Sequence, residues 1–142
     1  MTRMKILVIA NEIVDGSALE PDAQVFVVAP ALNSRLRHWL SDVDGARRDA
    51  EQRLARTLEL LARGGVVASG RVGDSDPLQA VADALPFFEA ESILVSGLGN
   101  WLARDLVRRT RERFRLPVAQ LVADGNAPVE STRPSARMLI AS

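Results

Sequence analysis

The chain reads as an open α/β domain on a parallel sheet. Three observations predict this. Five short apolar runs alternate with segments of helical period. Most of the runs are continuously apolar and rich in Val and Ile, as strands covered on both faces are. After its first pair of strands the chain places a helix between each strand and the next, which is how parallel strands are joined.

The first strand is Met4-Lys5-Ile6-Leu7-Val8-Ile9-Ala10, and the second is Gln24-Val25-Phe26-Val27-Val28-Ala29, stopped by Pro30. Only Asn11 to Ala23 join them, with Gly16 and Pro21 inside. A parallel crossover needs about a dozen residues even when compact. The first helix is therefore shortened or absent, and one sheet face is expected to be thinly covered. A helix follows over Asp42 to Arg63, with Ser41 and Asp44 as a capping pair. Its predicted apolar stripe is Val43, Ala46, Ala50, Leu54, Leu58 and Leu61, and its outer face includes Arg47, Arg48, Arg53, Arg56 and Arg63. Asp49/Arg53 and Glu59/Arg63 stand four residues apart, the spacing of supporting ion pairs. Gly64-Gly65 ends this helix.

The third strand, Gly65 to Val72, alternates more and suits a sheet edge. Asp76-Pro77-Leu78-Gln79 opens the next helix. Asp is an N-cap, Pro suits the first helical position, and Gln79 completes a cap-like box. Leu78, Val81, Ala82 and Leu85 form its expected apolar face, and Pro86 ends it. Ile93 to Ser96 is the fourth strand. The last helix, Asn100 to Phe114, turns Leu102, Ala103, Leu106, Val107, Thr110 and Phe114 inward, and Val118 to Val122 is the fifth strand. Residues 1–123 form the domain. Residues 124–142, with Gly125, Pro128 and Pro134 before Met138-Leu139-Ile140-Ala141, form a C-terminal tail.

Composition narrows the function classes. Lys+Arg and Asp+Glu are both 18, so nothing global argues for nucleic acid or an acidic membrane surface. There is no cysteine, which excludes disulfides and thiolate chemistry, and the single histidine, His38, excludes a multi-histidine metal site. The apolar run Ile6 to Ala10 is too short for a spanning helix or a signal-peptide core. The expectation is a soluble cytoplasmic protein.

Ser96-Gly97-Leu98-Gly99-Asn100 follows the fourth strand, Arg115-Leu116-Pro117-Val118 enters the fifth, and Gly73-Asp74-Ser75-Asp76-Pro77 precedes the second long helix. In this order, with Pro30 just after the second strand, they resemble the universal stress protein family over roughly Met4 to Ala123. The resemblance implies a Rossmann-like fold with strand order 3-2-1-4-5 and a ligand crevice at the ends of strands one and four. It implies a regulatory, stress-related homodimer without turnover. It also implies an adenine-nucleotide site, for ATP or AMP, at Asn11, Glu12, Val28, Ser96, Gly97, Gly99 and Asn100. ATP-binding members carry an acidic residue at the end of strand one and Gly-x2-Gly-x9-Gly-Ser/Thr after strand four. This chain has Asn11 at the first position, and Asn100, Thr110 and Arg111 where the pattern asks for Gly, Gly and Ser or Thr.

Two functions follow. One is an interaction module whose partner surface is the last strand, the tail and the thinly covered face. The other is a nucleotide sensor with an altered phosphate cradle. Gly97, Gly99 and Asn100 suit either a cradle or a tight strand-to-helix turn. Asn33-Ser34-Arg35-Leu36-Arg37-His38-Trp39 suits either a phosphate-and-base loop or a solvated loop pinned by Leu36 and Trp39. Arg108 to Arg115 reads as a solvated helix face, paired through Asp105 and Glu112. Asp74 and Asp76 read as turn and cap rather than catalytic carboxylates. A generic flavodoxin-like or Rossmann-like enzyme is disfavoured, because Ala10-Asn11-Glu12-Ile13 replaces a glycine-rich loop after strand one.

Overall fold

The computed structural model describes residues 4–31, 43–97 and 100–121, without the side chains of 18, 43, 44 and 100–103. The loop Arg35 to Trp39, the Ser41/Asp44 pair, Gly99, the Asn100 side chain and the tail lie outside the described residues. The elements are β1 (Lys5–Ala10), β2 (Gln24–Pro30), α1 (Val43–Arg63), β3 (Val67–Gly73), α2 (Pro77–Ala84), β4 (Ser92–Ser96), α3 (Asn100–Phe114) and β5 (Val118–Leu121). All strand pairs are parallel, in the order β3-β2-β1-β4-β5. The predicted fold class and strand order are those observed.

Strand order turns the sheet's two faces into two cores. Leu7, Ile9, Phe26, Val28, Ile93, Val95 and Val118 pack with Leu78, Val81, Leu106 and Val107 of α2 and α3. Ile6, Val8, Val25, Val27, Leu94 and Ala119 pack on the opposite face with Leu61 of α1. Right-handed crossovers require this split, since the chain moves one way across the sheet from β1 to β3 and returns beyond β1 for β4 and β5.

The connector from β1 to β2 holds a single 3-10 turn, Gly16–Ala18, capped by Asp15, whose Oδ1 accepts from Ser17 N at 2.9 Å. The face it crosses is not bare. Val14, Leu19 and Ala23 of the connector share a core with Ile6, Val8 and Leu94, which are buried. The connector is also tied to α1, where Val14 N donates to the buried Thr57 Oγ1 at 3.1 Å.

Helix ends follow the expected chemistry with one exception in detail. Gly65 takes a φ of 82° and closes α1. Its N–H donates to Ala62 O, and Val66 N donates to Leu61 O. This pairing of two back-directed bonds, with Val66 and Leu61 in one core, is a Schellman ending. Asp76 caps α2, its Oδ1 accepting from Leu78 N at 3.0 Å. The expected box with Gln79 does not form: Gln79 Nε2 donates forward to Asp83, and Asp74 Oδ1 accepts from Asp76 N. The buried face of α2 is Leu78, Ala80, Val81 and Ala84, rotated from the predicted stripe because Ala80 packs against Gly73. On α3, Arg108 and Arg109 pair with Asp105, and Arg108 with Glu112, as the spacing suggested.

The inner face of α1 includes the predicted stripe and is broader than it. Ala46, Ala50, Thr57 and Leu61 are buried, Leu54 and Leu58 are partly buried and pack against the core, and Arg53 is partly buried beside them. The helix thus turns an arginine and a threonine toward the sheet.

Candidate functional site

The carboxyl ends of β1 and β4 meet side by side, Ala10 opposite Ser96. From β1 the chain turns toward β2, and from β4 toward β5. This is the switch point at which an open parallel sheet leaves a crevice.

Asn11 stands at that point, with 7 % of its surface exposed. Its Nδ2 donates to Ser96 O at 3.0 Å and so joins the two strand ends. Its Oδ1 is equally buried and has no hydrogen-bond partner among the described residues. An unpaired buried carbonyl of this kind costs about 1–3 kcal/mol. Ser96 is fully buried. Its Oγ lies 3.2 Å from Ile9 O and 3.1 Å from Glu12 O, and it accepts weakly from Glu12 N at 3.4 Å. Its one proton serves one of those carbonyls at a time. Ser96 therefore clasps the exit of β1.

Gly97 has a φ of 78°, which an L side chain rarely adopts. A Cβ there would lie 2.6 Å from Glu12 Cγ and 3.0 Å from Glu12 Cδ. The exposed Glu12 side chain thus lies across Gly97.

An open crevice of about 740 Å³ adjoins these residues, lined by Asn11, Glu12, Ile13, Asp49, Gln52, Arg53 and Arg56. Arg53 Nε donates to Ala10 O at 2.9 Å, and Arg53 Nη2 donates to Pro30 O. One guanidinium therefore bridges the carboxyl ends of β1 and β2. Burial lowers its pKa, and the nearby Asp49 carboxylate works in the opposite direction. Arg56 Nη1 donates to Glu59 at 2.9 Å, and Glu59 also receives Arg63.

Of the predicted site residues, the structure brings Asn11, Glu12, Ser96 and Gly97 together. Val28 is not among them. It lies within the ladder, opposite Ile9 and Arg71, with its side chain buried in the core under α2 and α3. Sequence reasoning missed Arg53, which it placed on the outer face of α1. A signal was present: Ala46, Ala50, Arg53, Thr57 and Leu61 are spaced by four, three, four and four. Among the described residues no group of His, Asp or Glu is placed to hold a metal ion, and no helix is long and apolar enough to cross a membrane.

Fold and crevice together define a class: parallel α/β domains that can receive a ligand at a switch point. No family model matches the chain, and no curated protein matches it.

Proposed function

We propose that this chain is a regulatory domain of the universal stress protein type that binds a small ligand without turning it over. The observation that supports this is Asn11, a buried amide that joins the ends of β1 and β4 and lines an open crevice against α1. Adenine nucleotide is the ligand class that the sequence resemblance implies. The hydroxyl of Ser96 is engaged with main-chain carbonyls of the β1 exit. Such an arrangement supports a binding role for this end of the sheet rather than nucleophilic catalysis.

The test is isothermal titration of the chain with ATP and AMP, with and without magnesium. Micromolar affinity is expected. No heat, with no change in melting temperature at millimolar nucleotide, would refute the sensor.

A second reading is a homodimeric interaction module, and the position of Glu12 favours it. A carboxylate side chain across Gly97 opposes an approaching phosphate. On this reading the partner surface is β5 and the chain that follows it. Removing residues 124–142 should then convert a dimer to a monomer in sedimentation. An unchanged dimer would exclude the tail from the interface. Neither reading includes nucleic acid or membrane.

A further inference from the structure

Two strands close the sheet, and their free edges differ. β5 offers four residues and β3 seven, all seven paired to β2 in one unbroken register. The outer edge of β3 has none of the devices that blunt such an edge. It carries no lysine, proline or bulge, and its one charged residue, Arg71, folds back over the Phe87 ring at 5.6 Å. Among the described residues no main-chain hydrogen bond reaches this edge from outside the sheet.

Apolar surface flanks the edge on both faces. On the α2 side Val67 and Phe87 are 52 % and 54 % exposed. Phe87 lies edge-on against Phe26, which pairs with Ser69, so the ring stands beside the Ser69 row. On the other side α1 lies over β2 and β3, where a Cβ on Gly70 would meet Leu54 Cδ1 at 2.8 Å. One flank of α1 sends Arg53 toward the end of β1. The helical period therefore turns Leu58, Ala55 and Ala62, on the opposite flank, toward the free edge. Leu58 is partly buried and both alanines are exposed.

We infer that β3 pairs antiparallel with β3 of a second copy, about a twofold axis through Ser69, and joins the two five-stranded sheets into one. Spacing argues for a second copy. Each α1 lies over the gap between β2 and β3, so the axis sets the two helices two strand spacings apart, about 9.6 Å. Packed helices lie about 8–10 Å apart, and Ala55 and Ala62 permit the approach. Register argues the same way. With Ser69 on the axis, Val67 of each copy falls opposite Arg71 of the other, and the two Phe87 rings converge. The two Arg71 residues stand about 13 Å apart along the strands, beyond the Debye length of about 8 Å. A strip about 25 Å long and about 20 Å deep, from α1 to Phe87, buries about 1,000 Å² over both copies, the scale of a specific interface. This edge lies across the sheet from β5 and away from the crevice, so the inference is independent of ligand binding.

The experiment is disulfide trapping, since the chain has no cysteine. Directly opposed antiparallel residues have Cα atoms about 4.5–5.5 Å apart, within reach of a disulfide. Ser69→Cys should give a covalent dimer on mild oxidation, and Gln120→Cys on β5 should not. Removing residues 124–142 should leave the Ser69→Cys trap unchanged. Ala55→Glu and Val67→Lys each set like charges across the axis at an exposed site, and each should weaken the dimer at least about tenfold in sedimentation. They lie on different elements, so either carries the test if the other fails to fold by circular dichroism. A monomeric wild-type chain at about 100 μM overturns the inference. Trapping through Gln120→Cys and none through Ser69→Cys also overturns it, and assigns the interface to β5. Dimers of both charged variants as tight as wild type overturn it as well.

Discussion

Replacing Gly97 with Ala tests the packing of Glu12 on the loop after β4 most directly. Two costs are expected. The first is the backbone: φ is 78°, and a non-glycine residue in this region costs about 1–2 kcal/mol. The second is contact. The new methyl would meet Glu12 Cγ at 2.6 Å, Cδ at 3.0 Å and Cβ at 3.1 Å. The outer two carbons can swing away, since Glu12 is exposed. Its Cβ cannot follow, because Ser96 Oγ lies within hydrogen-bonding range of both the N–H and the C=O of Glu12. Overpacking of this kind adds about 1 kcal/mol. Gly65→Ala supplies the control. Gly65 has a φ of 82°, and a Cβ added there would have no neighbour within 4 Å, so only the backbone cost applies. Urea unfolding followed by circular dichroism should show Gly97→Ala losing about 2–3 kcal/mol and Gly65→Ala about 1–2. Adding Glu12→Gly, which removes the Cβ, should recover much of the difference, as a coupling near 1 kcal/mol in the double-mutant cycle. Equal losses at the two glycines, with no coupling to Glu12, would refute the stacking of Glu12 on Gly97.

Two further outcomes follow from single contacts. Thr57→Val keeps the shape of α1 but leaves the Val14 N–H without its acceptor. It should cost about 1–3 kcal/mol in chemical unfolding, and wild-type stability of Thr57→Val would show that the bond contributes nothing. Asp76→Ala removes the side chain that accepts from Leu78 N at the start of α2. A loss of about 1 kcal/mol is expected by the same measurement, and an unchanged midpoint would mean that the cap is dispensable.

Much of the fold was legible because the governing signals are local. Continuous apolar runs at Lys5–Ala10 and Gln24–Pro30 mark strands covered on both faces, and both are so covered. Alternation at Val67–Gly73 marks an edge, and β3 lies at the edge. Gly64-Gly65 and Asp76-Pro77 mark helix ends through backbone chemistry that needs no distant partner. The short link from Asn11 to Ala23 leaves no room for a full helix, and only a 3-10 turn forms.

The site was legible in part. Asn11, Ser96 and Gly97 could be named because the family resemblance implies a strand order that puts the ends of the first and fourth strands at a switch point. Their hydrogen bonds could not, since each spans more than eighty positions of sequence. Val28 entered the expected site through the family resemblance. The pleat of the strand sends its side chain to the core under α2 and α3 instead.

What the sequence determined by itself was therefore the parallel α/β class and the element order. These depend on periodicity, turn chemistry and the handedness of crossovers. Tertiary structure alone decided which way α1 rolls on the sheet. Hydropathy ranks Arg53 and Thr57 as outward residues. The carbonyls at the ends of β1 and β2, and the N–H of Val14, draw them inward, because these groups would otherwise lack partners. A buried main-chain group must find a partner, and only the folded chain brings the partner within reach.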